Sequence, residues 1–78
     1  MKNFKQIRNT MTEQALSIEC VMRGHRRVEL RQIADACQLR ETVVEFILEQ
    51  MESCGVVHRV AFGRYSLTPA YLAAYLSE

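Results

Sequence analysis

The sequence predicts a small α+β domain with a three-helix core, a short β-hairpin and a C-terminal helix. The clearest helix covers residues 41–53, where four apolar side chains recur at helical spacing: Val44, Ile47, Leu48 and Met51. A glycine and a β-branched run at residues 55–60 then predict a strand. With 78 residues, 49% of them hydrophobic, the chain is expected to build one core and to form a single domain.

Residues 1–11 are predicted to form either a basic N-terminal arm or an extra helical turn, ahead of a main domain at residues 12–78. Phe4, Ile7 and Met11 are spaced to pack along one side of a helical turn. The bases in this segment have no acidic neighbour, which is equally typical of a frayed arm. Both interpretations stay open at this point.

The first core helix is predicted at about residues 12–22. Thr10 with Glu13 three residues later has the pattern of a capping box, and Gly24 ends the segment. Apolar side chains cover most of the helix circumference: Ala15, Leu16, Ile18, Cys20, Val21 and Met22. Such a helix lies at the centre of a core, or it buries a second face against a partner chain.

Two helices joined by a tight turn follow a very short strand at residues 28–30. The second helix is predicted at residues 31–37, and Gln38 and Leu39 form the turn that leads into the helix at 41–53. Gly55 stands where a glycine commonly ends a helix. The order so far is therefore helix, strand, helix, helix.

A β-hairpin and a last helix complete the predicted domain. Residues 56–60 form one strand and residues 64–67 its partner, with a loop at residues 61–63. Thr68 caps the last helix and Pro69 opens it.

The last helix carries two apolar strips at i, i+4 spacing. Tyr71 and Tyr75 form one strip, and Leu72 and Leu76 form the next. Because one strip can pack on the domain while the other meets a second copy, we predict a homodimer through the first and last core helices. The alternative is a well-buried small core.

Charge is unevenly distributed, although the formal net charge is only +1. Residues 23–31 contain four arginines and a histidine against one acid, whereas residues 41–52 contain four glutamates and no base. The domain is therefore polarised.

Cysteine and histidine spacing argues against a metal site or a disulfide framework. Cys20, Cys37 and Cys54 form no CxxC pair, and His25 and His58 stand far apart. We therefore expect reduced thiols buried in the core of a cytoplasmic protein, and no cofactor.

Membrane and catalytic classes find no support in the sequence. No apolar run approaches the length of a membrane span, and the first residues lack the apolar segment of an export signal. The chain has no nucleophile elbow, no glycine-rich phosphate loop and no helical metal motif. We therefore expect binding and no enzymatic activity.

This order of elements resembles winged helix-turn-helix domains of bacterial transcription regulators, most closely the IclR-type arrangement. Residues 33–39 resemble the second helix and turn, residues 42–51 the recognition helix, and residues 55–57 and 63–69 the two sides of the wing. The resemblance covers roughly residues 12–76. It implies a winged helix fold and, as function, a bacterial or phage regulator that binds double-stranded DNA.

The resemblance implies contacts for particular side chains. Arg31 and Arg40 begin the second and third helices, where the family pattern places contacts to the DNA backbone. Arg64 lies in the wing, within reach of a phosphate or a minor groove. On the third helix, Thr42 and Glu45 would approach base edges, and Glu41 and Phe46 are the other predicted DNA-binding residues.

The third helix also departs from the family pattern. Glu45, Phe46 and Glu49 replace the usual polar or basic residues, and each carboxylate opposes the phosphate attraction that supplies much of DNA affinity. Phe46 could contact a thymine methyl, join the edge of the core, or anchor a protein partner beside the glutamates. The alternative function is therefore a protein-interaction adaptor with the same fold. Gln38 stands at the turn position that usually holds glycine.

Overall fold

A computed structural model describes residues 4–25 and 27–76, except for the side chains of Tyr75 and Leu76. The elements run in the order α1 (Phe4–Asn9), α2 (Glu13–Arg23), β1 (Val28–Glu29), α3 (Leu30–Cys37), α4 (Glu41–Ser53), β2 (Val57–Ala61), β3 (Arg64–Leu67) and α5 (Pro69–Leu76). The strands form an antiparallel sheet in the order β1-β3-β2. The predicted α+β winged helix architecture is confirmed.

Helix α1 packs against α5 at the other end of the chain. The ring of Phe4 meets the ring of Tyr71 edge-on, with 5.4 Å between the centroids. The hydroxyl of Thr10 donates a hydrogen bond of 2.7 Å to the carbonyl of Ile7, which satisfies an acceptor in the last turn of α1. Phe4–Asn9 is thus an extra helix, and the division between residues 1–11 and residues 12–78 remains a prediction.

Helix α2 is capped by Thr12, whose hydroxyl oxygen accepts a hydrogen bond of 3.2 Å from the amide of Ala15. The prediction of a capping box starting at Thr10 is therefore wrong. The hydroxyl of Thr10 is already bonded to α1, and the extended backbone of Thr12 has the geometry of an N-cap.

Helices α3 and α4 form the helix-turn-helix. Their turn depends on Gln38, which has φ 55° and ψ 45°, a left-handed conformation that glycine adopts more easily. The bounds of α4 agree with the prediction, and its Val44, Leu48 and Met51 are buried in the core. Ile47 packs against that core while partly exposed.

Strands β2 and β3 and the turn between them, Phe62 and Gly63, form the wing. Arg59 pairs with Tyr65 and Ala61 pairs with Arg64, so that one residue of β2 bulges between them. After β3, Thr68 caps α5 as predicted, because its hydroxyl oxygen accepts a hydrogen bond of 3.1 Å from the amide of Tyr71.

The core draws side chains from α2 to α5 and from all three strands, and it encloses one carboxylate that the sequence analysis did not single out. Glu19 is 1% exposed. Its side chain accepts hydrogen bonds from Arg8 Nε at 3.0 Å, from Arg23 Nη2 at 2.7 Å and from the Tyr71 hydroxyl. Four hydrogen-bonded side chains thus connect α1, α2 and α5.

The expectation of buried thiols is wrong for two of the three cysteines. Cys20 and Cys54 are exposed, and Cys37 is partly buried. Cys20 lies on the outward side of α2, and Cys54 follows the end of α4, so neither is needed to fill the core. None of the described helices is long and apolar enough to cross a membrane.

Candidate nucleic-acid interface

An open cleft of about 430 Å³ lies where the wing approaches the starts of α3 and α4, and we call it the wing cleft. The residues that line it are Glu29, Leu30, Arg31, Glu41, Phe62, Gly63 and Arg64. Three side chains selected from the sequence therefore meet at one place: Arg31 from α3, Glu41 from α4 and Arg64 from the wing. The first amides of α4 lie at the same edge of the fold, where they favour an anion.

The wing is attached to α3 through its backbone. The amide of Leu30, the first residue of α3, donates a hydrogen bond of 3.0 Å to the carbonyl of Gly63 in the wing turn. Glu29 of β1 pairs with Arg64 of β3, and their side chains form an exposed ion pair with 3.4 Å between Oε1 and Nη2. These contacts hold the wing in place relative to α3.

Arg40 and Thr42 flank the wing cleft without lining it. Arg40 is the N-cap residue of α4, and Thr42 follows Glu41 in the first turn of that helix. Both side chains are exposed. Arg31 and Arg40 have no ion pair among the residues that the structure describes, so both guanidinium groups face solvent.

The acidic surface of α4 lies close to a cation of the wing that the sequence analysis did not select. Arg59 of β2 donates a hydrogen bond of 3.0 Å from Nη2 to the Tyr65 hydroxyl, and its guanidinium carbon lies 5.4 Å from the Tyr65 ring centroid. That hydrogen bond raises the pKa of Arg59, and the charges of Glu52 and Glu45 act in the same direction. Part of the glutamate surface is thus balanced within the chain.

Phe46 lies in a different place from the wing cleft. Its side chain is 61% exposed, which rules out the alternative that it joins the edge of the core. It lines a mainly apolar cavity of about 330 Å³ between α4 and the α1–α2 junction, together with Ile7, Met11, Val43, Ile47 and Gln50. The structure therefore separates Phe46 from Arg31, Glu41 and Arg64.

Phe62 is a residue of this region that the sequence analysis placed only in a loop. It is 99% exposed at the turn of the wing and lines the wing cleft beside Gly63 and Arg64. An aromatic residue between two small residues in a predicted hairpin loop, Ala61 and Gly63, was the available signal. Glu29 carried no such signal, because its pairing with Arg64 joins residues 35 positions apart.

Comparisons with known proteins support the fold. Neither protein-family profiles nor curated proteins give a significant match to this sequence. Among solved structures, the chain is similar to ligand-free NadR, with a TM-score of 0.76 and 20% sequence identity over 95% of this chain. The match spans 58% of the NadR chain. The similarity shows the winged helix fold, and the IclR-type arrangement remains a prediction.

Proposed function

We propose that this chain is a transcription regulator that binds double-stranded DNA through its helix-turn-helix and wing. The observation that carries the proposal is the wing cleft, where Arg31, Glu41 and Arg64 meet from three separate elements. The similarity to ligand-free NadR supports the winged helix fold on which the proposal rests. A bacterial or phage origin, a cytoplasmic location and the absence of catalysis belong to the same proposal.

In this proposal the arginines hold the DNA backbone and α4 reads the bases. Arg31, Arg40 and Arg64 neutralise phosphates, and the first amides of α4 favour the same negative charge. Thr42 and Glu45 approach base edges in the major groove, where a glutamate accepts a hydrogen bond from the amino group of cytosine.

The wing cleft has no net charge before DNA binds, because Arg31 and Arg64 are matched by Glu29 and Glu41. Arg64 must therefore exchange the carboxylate of Glu29 for a phosphate. An exposed ion pair of this kind contributes at most about 1 kcal/mol, so the exchange costs little compared with a charge-assisted phosphate contact of about 1.5–3 kcal/mol.

Arginine removal tests the phosphate contacts. Arg31→Ala, Arg40→Ala and Arg64→Ala should each weaken binding to every duplex about tenfold, and each should reduce the slope of log K against log salt by about 1. Arg27→Ala is the matched control, since Arg27 is exposed and lies outside the wing cleft. If the three variants keep the wild-type slope, the assignment of phosphate contacts is wrong.

Removal of a glutamate from the wing cleft should change the DNA affinity in the opposite direction. Glu29→Gln keeps the shape of the side chain but releases Arg64 from its ion pair, so it should tighten DNA binding several-fold at low salt. Glu13→Gln on α2 removes the same charge outside the wing cleft and should change the affinity less. Equal effects of the two substitutions would show that only the net charge of the domain matters.

Substitutions on α4 test whether this helix reads the bases. Thr42→Ala and Glu45→Gln should each change which operator sequence the protein prefers. The slope of log K against log salt should change little for Thr42→Ala, because that substitution removes no phosphate contact. Selection of duplexes from a random pool with each variant measures this. Identical selected sequences for wild type and both variants would exclude the assigned readout.

The exposed ring of Phe46 favours a second candidate function, that of a protein-interaction adaptor. A partner side chain would enter the apolar cavity beside Phe46, and a basic partner surface would complement the glutamates of α4. Phe46→Ala should then abolish the protein contact, while Phe62→Ala, which also removes an exposed ring, leaves it intact. Wild-type affinity of Phe46→Ala for that partner would refute the adaptor function.

A homodimer through α2 and α5 also remains a proposal. Tyr71, one of the residues on which the prediction rests, is buried within its own chain, and Leu72 packs against the same core. Sedimentation equilibrium measures the state of association directly. A mass of a single chain at all concentrations would exclude the dimer.

A further inference from the structure

Phe62 is a large apolar side chain that the fold leaves in solvent. The ring is 99% exposed, compared with 61% for Phe46. Burial of a phenylalanine side chain stabilises a protein, and this chain forgoes that contribution at Phe62. The exposed ring is therefore available for a contact outside the fold.

The backbone beside Phe62 is held firmly. The carbonyl of Gly63 accepts the hydrogen bond from the amide of Leu30 at 3.0 Å, and Gly63 itself has φ 71°, a conformation that glycine permits. Arg64, the next residue, is paired with Glu29 in the sheet. The ring thus projects from a turn that is anchored to α3.

The surroundings of Phe62 favour a nucleic acid over a protein. An aromatic side chain offers roughly 150–250 Å² of surface, whereas a stable protein interface needs about 800 Å² from each partner. The neighbours in the turn, Ala61 and Gly63, add little apolar area. A single ring instead has the size of one base step, and Arg64 beside it can exchange its ion pair with Glu29 for a phosphate.

We propose that Phe62 is a wedge that enters the minor groove from the wing and stacks against a base step while the wing cleft holds the DNA backbone. The proposal rests on the proposed DNA binding and adds a source of specificity to it. Apolar wedges partly unstack a base step, and pyrimidine–purine steps such as TA and CA resist this least. The chain should therefore prefer operators with such a step under the wing.

Tryptophan fluorescence tests the wedge directly, because the chain contains no tryptophan. Phe62→Trp introduces a single indole at the turn, and stacking on a base should quench its emission strongly when a duplex is added. Ser17→Trp is the matched control, since it also places an indole at an exposed position, on α2 and outside the wing cleft. Its emission should change little on the same DNA.

Affinity and base unstacking provide a second readout. Phe62→Ala should weaken DNA binding about tenfold and remove the preference for a TA step, with an unchanged fold because the ring makes no core contact. A 2-aminopurine placed in that step should brighten with wild type and stay dark with Phe62→Ala.

The outcomes separate the wedge from DNA binding itself. If wild type and Phe62→Trp bind the duplex while the indole emission is unchanged, the wedge is wrong and DNA binding stands. If Phe62→Ala binds as tightly as wild type with the same step preference, the wedge is equally refuted. If wild type binds no duplex at low salt, both proposals are overturned together.

Discussion

Tyr71 is a buried residue whose ionisation is coupled to folding. It lies against Phe4, and its hydroxyl donates a hydrogen bond to the carboxylate of Glu19. Burial, followed by that hydrogen bond and the charge of Glu19, raises the pKa of Tyr71 well above its usual range. The neutral phenol is thus the form that the fold requires.

The stability of the protein should therefore fall in alkaline solution. An unfolded tyrosine loses its proton near pH 10, whereas folded Tyr71 keeps it, so the unfolded state binds fewer protons above that pH. The contribution of Tyr71 is fully present below about pH 10 and is lost as the pH rises further. Urea unfolding between pH 8 and pH 11 measures this, and Tyr71→Phe should show a shallower decline than wild type. Equal declines would contradict the assignment.

Cys37 should be the least reactive of the three thiols. It is partly buried, and this burial, with an electrostatic contribution from the neighbouring Cys20, raises the pKa of Cys37, so less Cys37 thiolate is present at a given pH. Mass spectrometry after brief exposure to iodoacetamide at pH 8 should find Cys20 and Cys54 alkylated before Cys37. In urea the three rates should converge. Faster alkylation of Cys37 in the folded protein would contradict the prediction.

At the scale of elements, the turn of the helix-turn-helix contains a residue in an unfavourable conformation. Gln38 has φ 55°, and the left-handed conformation costs a residue with a Cβ about 1–2 kcal/mol. The amide of Gln38 still closes α3 by donating to the carbonyls of Ala34 and Asp35. The backbone conformation that the turn requires, and not the preference of the residue type, thus determines the geometry at Gln38.

Gln38→Gly should stabilise the domain. Relief of the left-handed strain, about 1–2 kcal/mol, exceeds the extra unfolded-chain entropy of glycine, about 0.5–1 kcal/mol. We expect a net gain of about 0.5–1 kcal/mol in the free energy of unfolding, measured by urea denaturation. Gln38→Ala keeps the Cβ and is the control, with no such gain expected. A loss of stability for Gln38→Gly would show that the side chain of Gln38 contributes contacts of its own.

Elements whose signals are local in sequence were predictable. The apolar stripe of α4 and the glycine after it predicted residues 41–53, and β3 was predicted at the residues where it lies. The N-cap of α2 was misplaced because Thr10 and Thr12 both fit a capping pattern, and only the contacts of Thr10 with α1 decide between them.

The candidate site was predictable only in part, because its contacts are distant in sequence. Arg31 and Arg40 were predicted as DNA contacts from their positions at the starts of helices, and Arg64 from its position in the wing. The ion pair of Arg64 with Glu29 spans 35 positions, and the hydrogen bond of Tyr71 with Glu19 spans 52. No periodicity within one element encodes such pairs.

At the scale of the whole molecule, Glu19 connects the two ends of the chain. Arg8 from α1 and Tyr71 from α5 both donate hydrogen bonds to its carboxylate, which lies on α2. The acid therefore determines how the terminal helices sit on the helix-turn-helix that carries the proposed interface.

Glu19→Ala should destabilise the whole domain by about 3 kcal/mol, since it removes the shared carboxylate that accepts hydrogen bonds from buried and charged donors. This value lies near the lower end of the destabilisation caused by breaking a buried ion pair, because the side chains of Arg8 and Arg23 are 36% and 33% exposed and can be hydrated. Urea denaturation measures it, with Glu13→Ala, at an exposed position of the same helix, as the control. A loss below about 1 kcal/mol would contradict this account of the cluster.

The central claim is that the winged helix binds duplex DNA through the surface around the wing cleft. Fluorescence anisotropy of a labelled mixed-sequence duplex, titrated with wild-type protein at 50 and 200 mM salt, tests it most directly. Neutralisation of three phosphates by Arg31, Arg40 and Arg64 predicts a slope of about −2.7 for log K against log salt, or roughly 40-fold weaker binding at the higher salt. Micromolar or tighter binding with that salt dependence is the result we predict. No binding at 50 mM salt would contradict the claim and favour a protein partner at Phe46.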